Sequence, residues 1–240
     1  MHPIAEALYG LRNDEQRAIL MRFFKTGPGQ YGEGDQFLGI KVPEVRLLAK
    51  ESCDLPLEEI PELLTSEWHE VRLCGFLILV DQYNRKGATA QAKTKILKLY
   101  LANARRANNW DLVDLSCYKI LGAWLVESDA PKEEKLQLMD ALANSDNLWE
   151  QRISMVSTMA TLKAGDTSYT IRYAKHHLHH PHDLMHKAVG WLLREMGKRC
   201  GMDELRAFLA EYASTMPRTA LRYAIERMDK DQREYWMGRQ

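Results

Sequence analysis

Four segments of the chain set a charged residue ahead of an apolar run in the same way: Val71-Arg72-Leu73-Cys74, Val113-Asp114-Leu115-Ser116, Gln151-Arg152-Ile153-Ser154 and His186-Lys187-Ala188-Val189. Their charged positions lie 42, 38 and 35 residues apart. A drifting period near ~40 is what HEAT-type helical pairs produce, because each pair buries its apolar face only against its neighbours. Apolar residues recur at helical spacing elsewhere too, as in Ile19, Leu20, Phe23, Phe24 and in Ile96, Leu97, Tyr100, Leu101. No alternating strand pattern competes with them. The expected fold is all-α, an α-α superhelix of HEAT-like helical repeats, with residues 1–240 forming a single domain of roughly a dozen helices. With the second helix of each pair lining the inner curve, Arg72, Asp114, Arg152 and Lys187 are expected on one concave stripe.

Breaks between helices are expected at Gly27 to Gly34, Asp54 to Leu57, Asn84 to Ala88, Ser128 to Lys132, Lys163 to Thr167, His179 to His182 and Cys200 to Asp203. Pro43, Pro131 and Pro181 sit where a first-turn proline is tolerated, and Asp146 is placed to cap the helix after it. The conspicuous loop is Thr26-Gly27-Pro28-Gly29-Gln30-Tyr31-Gly32-Glu33-Gly34-Asp35. No strand precedes it and no Gly-Lys-Ser/Thr closes it, so a flexible connector is the better reading than a phosphate-binding loop.

Composition excludes several classes. Leu73 to Val80 is the longest apolar run, bounded by Arg72 and Asp81, far short of the ~20 residues of a membrane span. No membrane association is expected. The N-terminal stretch carries His2, Glu6, Arg12, Asp14 and Glu15 and lacks the pattern of a signal peptide, so a cytoplasmic location is expected. Cys53, Cys74, Cys117 and Cys200 are too far apart for a zinc ribbon or a C-x-x-C pair and are expected reduced. The formal net charge is zero, yet the charge is unevenly spread. Lys and Arg number 7 against 13 acidic residues over 1–70, 13 against 11 over 71–170, and 13 against 9 over 171–240, where six of the eight histidines also lie. A basic second half suits a phosphate partner despite the neutral sum.

Trp110 and Asp114 are four apart on one helix and so share a face, the pairing of aromatic plane and carboxylate that a flat, cationic substrate calls for. Core packing of Trp110 and solvation or ion pairing of Asp114 is the plainer alternative. Asp111 falls in the first turn, where a carboxylate usually only complements the helix dipole. On the helix from Asp183 to Lys198, Lys187, Trp191, Arg194 and Lys198 follow at i, i+4, i+7 and i+11, a stripe of cations and an aromatic suited to a sugar-phosphate backbone. An ordinary solvated face anchored by its tryptophan gives the same spacing. Trp149 and Arg152 add a further aromatic and cation. The run His176-His177-Leu178-His179-His180-Pro181-His182, followed by His186, lacks the ligand count and the H-E-x-x-H form of a zinc site, so no metal and no cofactor are expected.

At these residues the sequence resembles the AlkD-like DNA alkylation repair family of HEAT-repeat glycosylases, which release N3- and N7-alkylated purines. Phe37-Leu38-Gly39-Ile40-Lys41-Val42-Pro43 is similar to the family's opening motif. Asn109-Trp110-Asp111-Leu112-Val113-Asp114 matches its catalytic segment and Leu148-Trp149-Glu150-Gln151-Arg152 its arginine segment. Lys187-Ala188-Val189-Gly190-Trp191-Leu192-Leu193-Arg194-Glu195 matches its second tryptophan segment. The resemblance implies a base-excising hydrolase, acting as a monomer on duplex DNA that carries alkylated purines. It implies Asp114 as the catalytic carboxylate, Trp110 and Trp191 as walls against the lesion nucleotide's deoxyribose, and Arg152 as a phosphate clamp. The glycine-rich insertion before Phe37 and the Asp183-Leu184 pair, where aromatics are expected, depart from the pattern. Relatives with this architecture that bind distorted or branched DNA without excising bases supply the alternative.

Overall fold

The computed structural model describes residues 2–239. Its helices are α1 (Pro3–Gly10), α2 (Asp14–Phe23), α3 (Val42–Glu51), α4 (Ile60–Leu64), α5 (His69–Tyr83), α6 (Ala90–Ala102), α7 (Trp110–Glu127), α8 (Lys132–Ala143), α9 (Leu148–Lys163), α10 (Ser168–His176), α11 (Asp183–Arg199), α12 (Met202–Tyr212), α13 (Arg218–Ile225) and α14 (Lys230–Met237). No strand occurs among the described residues, where a lone bridge between Gln36 and Trp68 is the only pairing of that kind. The helices form stacked hairpins resembling HEAT-like repeats, and the four charged positions of the sequence pattern fall on α5, α7, α9 and α11, each within the second turn. The chain divides into two compact units, one ending at Ile120 and the other beginning at Leu121, so the boundary falls inside α7.

The first unit is organised around α5. This helix is buried from His69 through Val80 and packs against α1, α3, α4 and α6, as expected of a helix that is apolar on every side. Ile60, Leu63 and Leu64 of α4, Val45 and Ala49 of α3, and Ile96 and Tyr100 of α6 close on it. Burial of each such large side chain contributes roughly 1.5–3 kcal/mol. In the second unit α9 and α11 take the same central role, α9 against α8, α10 and α11, and α11 against α12 and α13. Gly190 explains how closely α11 meets α13, since a Cβ there would lie 2.3 Å from the Ala220 carbonyl oxygen.

Two local expectations are corrected. The run Ile19, Leu20, Phe23, Phe24 falls on α2 and its C-cap as its helical spacing predicts, although α2 has no buried residue and Ile19 and Phe23 are each 59% exposed. Asn147 rather than Asp146 caps α9, its side chain accepting from the amides of Trp149 and Glu150. The glycine-rich loop is tied down at several points. The amide of Gly27 donates to Gln30 Oε1 and that of Gly29 to Glu33 Oε2, so these donors are already used and cradle no phosphate. Beyond it, Glu70 of α5 accepts from the amides of Leu38, Gly39 and Ile40 at 2.8, 2.8 and 3.1 Å, a charge-assisted anchor for the segment that leads into α3. Gly39 adopts φ +89°, and a Cβ on it would sit 2.0 Å from the Asn13 carbonyl oxygen, which leaves glycine as the residue that fits.

Candidate active site

Helix α7 starts at Trp110, whose amide is met by the Asn109 side chain at 2.9 Å. Trp110 is half-buried, stacked on Phe24 at 5.2 Å between ring centroids and met edge-on by the exposed Phe23 at 5.8 Å. Its indole N–H donates to the Tyr31 hydroxyl at 3.3 Å, so the glycine-rich loop reaches the edge of this ring. Asp114 follows one turn later and is also half-buried. Its charge reaches Tyr100, whose hydroxyl is held well above its ordinary pKa by burial first, with Cys117 and Asp114 adding to the effect. The same hydroxyl lies 3.3 Å from Ser116 Oγ. Trp110 and Asp114 thus come together on one face of α7, as their spacing requires.

Beneath Trp110 lies a buried charge network that no sequence pattern announced. The His69 ring stacks on Phe37 at 4.3 Å. Its Nδ1 is 2.9 Å from Asp35 Oδ2 and its Nε2 is 2.9 Å from Asp111 Oδ2. Arg72 pairs with the other oxygen of Asp35 and donates to the carbonyls of Ser66 and Glu67, each at 2.9 Å. Burial alone pushes the His69 pKa down, but the two carboxylates, Asp111 foremost, outweigh it and raise it from 6.5 to about 9. Burial likewise works against the Asp35 carboxylate, yet His69 and Arg72 hold it below the usual range.

Two expectations change as a result. Arg72 is only 4% exposed and is an ion-pair partner inside the first unit, so it does not line a DNA-facing stripe. Asp111 is equally buried and does more than complement a helix dipole, because it is one of the two acceptors of His69. The partners of His69 stand 34 and 42 residues away, which is why no local pattern revealed the network. The nearest signal was an isolated His-Glu pair at the start of an apolar run.

The remaining residues expected from the sequence belong to the second unit. Arg152 of α9 is buried and donates to the carbonyl of Leu184 in the first turn of α11. Lys187 pairs with Asp183 at 2.8 Å, and Arg194 pairs with Glu226 of the segment after α13. Trp191 is half-buried and Lys198 exposed, while Trp149 belongs to the core. Two of the three cations expected for phosphate on α11, Lys187 and Arg194, therefore carry acidic partners. The histidine-rich segment is used structurally. His182 caps α11 by accepting from Leu184, His177 meets Ser154 at 2.9 Å, and His180 meets Gln151 at 2.8 Å. Among the described residues no three His, Cys, Asp or Glu side chains are grouped to hold a metal ion, and no helix is long and apolar enough to cross a membrane.

Stacked helical hairpins define an all-α repeat protein, in which α7 carries an aromatic and a carboxylate one turn apart as the candidate site. The profile of the family described as DNA alkylation repair enzyme matches residues 4–228, and the chain belongs to that family. A solved structure described as a predicted DNA alkylation repair enzyme from Enterococcus faecalis has the same fold, with a TM-score of 0.66 over 91% of this chain and 97% of that one, at 17% identity. No curated protein sequence matches the chain.

Proposed function

We propose that the protein is a DNA glycosylase that hydrolyses the N-glycosidic bond of N3- and N7-alkylated purines in duplex DNA. The observation that carries this reading is the pairing of Trp110 and Asp114, both half-buried, on one face of α7. A purine alkylated at N3 or N7 is cationic and leaves as a neutral base, so no general acid is required. The sugar left behind develops oxocarbenium charge. The Asp114 carboxylate stabilises that charge and orients the attacking water, and the Trp110 ring adds cation–π attraction of about 0.5–2 kcal/mol to the charged lesion. In the second unit Trp191 offers a further aromatic, and Lys187 and Arg194 offer positive charge toward the DNA backbone, while Arg152, buried and donating to the Leu184 carbonyl, holds the start of α11 and does not serve as the expected phosphate clamp.

The test is chromatographic detection of free 7-methylguanine and 3-methyladenine after incubation with methylated duplex. Asp114→Asn keeps shape and removes charge, so release should fall at least ~100-fold while binding to unmodified duplex stays level or tightens. No release by the wild-type protein at stoichiometric concentration overturns the enzyme reading. Equal release by wild type and variant overturns only the role of Asp114.

A further inference from the structure

We propose that His69 is a positioning residue of this site: an imidazolium held between Asp35 and Asp111 that joins the glycine-rich loop to the first turn of α7 and so sets the orientation of Trp110 and Asp114. For its catalytic consequence the proposal rests on the glycosylase reading. Its structural content stands apart from it.

The geometry itself demands the charged ring. A neutral imidazole has one N–H and would turn a lone pair toward one of the two carboxylates, whereas both ring nitrogens lie 2.9 Å from a carboxylate oxygen, a pattern that, with both carboxylates ionised, only the doubly protonated form satisfies. The charged groups that meet it or its partners come from the loop, α7 and α5. Asp35 comes from the loop, Asp111 from α7, and Arg72 and Glu70 from α5 itself, the last already engaged by the amides of residues 38–40. Two cations, His69 and Arg72, thus balance two carboxylates, Asp35 and Asp111, in a dry site. Phe24 and Phe37 cover the ring at 5.2 and 4.3 Å.

Asp111 lies between the two functional residues in sequence but about 100° around the helix from Trp110, so holding its carboxylate fixes the roll of α7. The loop reaches the same helix a second time through Tyr31 and the Trp110 indole. With both ends of this link ordered, the indole and the Asp114 carboxylate are presented in one arrangement. With His69 neutral or absent, a buried carboxylate is left without its cation, and either it takes up a proton or the loop gives way.

Three measurements on the intact protein test the proposal. In nitrogen-15 spectra at pH 7.5 both ring nitrogens of His69 should carry protons; a single protonated nitrogen overturns it. Next, His69→Gln should speed amide exchange across residues 26–35 and in the first turn of α7. It should also lower kcat for base release on the order of 100-fold, the scale of a misplaced catalytic group, with affinity for intact duplex kept. The double variant His69→Gln/Asp111→Asn removes the stranded charge and should recover much of both losses. A double variant as impaired as the single one means that the ring only packs, and the proposal fails. Should His69→Gln not fold, Asp111→Asn carries the same test. Exchange should then rise at residues 110–113, and unchanged exchange overturns the link. Wild-type protein without base release, combined with the expected spectra and exchange, removes the glycosylase reading and leaves the link standing.

Discussion

Asp111 and Asp114 occupy successive turns of α7 in opposite settings: Asp111 is 4% exposed and meets the His69 ring at 2.9 Å, while Asp114 is half-buried one turn past Trp110. Two carboxylates three residues apart are thereby divided between a buried contact with His69 and a half-buried position, the latter being the one the proposed function assigns to the substrate.

Replacing them should separate stability from chemistry. Asp111→Ala strands His69 in a dry site and should lower the unfolding free energy by about 3–5 kcal/mol, the scale for removing one partner of a buried ion pair. Asp114→Asn should cost roughly 1 kcal/mol or less. Urea denaturation of the two variants beside the wild type measures this. Equal costs would place Asp114 in the core network with Asp111.

Stability should fall on both sides of neutrality for reasons that lie in different units. His69 is raised to about 9, so its contribution is fully present below pH 6.5 and is lost as pH rises through about 9. His177, lowered to about 3 by burial and then by His176 and His180, contributes above pH 6.5 and loses that contribution as pH falls from 6.5 toward 3. Denaturation midpoints measured from pH 4 to 10 should show both flanks. His69→Gln should flatten the alkaline one and His177→Gln the acid one.

DNA binding should depend on Lys187 and be indifferent to Arg72. Lys187→Ala should reduce the salt slope of duplex binding by about one counterion, whereas Arg72→Ala, a change inside the first unit, should leave the slope unaltered even as it destabilises the fold. Asp183→Asn removes the acidic partner of Lys187 and should tighten binding. Fluorescence anisotropy across a salt series reads all three, and a change of slope in Arg72→Ala would restore it to the DNA-facing surface.

Gly190→Ala should destabilise the second unit by about 1–3 kcal/mol, since the added methyl meets the Ala220 carbonyl oxygen and the Tyr223 side chain. Thermal unfolding measures the effect. An unchanged midpoint would mean that α11 and α13 separate at little cost.

Much of this architecture could be read from the chain because helical repeats bury their faces locally. The spacing of Arg72, Asp114, Arg152 and Lys187 placed four alternate helices in phase, and the i, i+4 relation of Trp110 and Asp114 follows from helix geometry alone. What each charged residue faces did not follow. The same pattern position holds a buried ion-pair partner at Arg72, a half-buried carboxylate at Asp114, a buried donor to a backbone carbonyl at Arg152 and a lysine paired within its own helix at Lys187. Periodicity says which side of a helix a residue is on, but the loop or helix that arrives there comes from elsewhere in the chain. Asp35, His69 and Asp111 meet only after a glycine-rich loop and two helices have packed together, the partners standing 34 and 42 positions from the ring in sequence. Helix positions repeat locally along a chain. Buried charges are matched across it, so the charge balance beneath Trp110 was decided by tertiary structure alone.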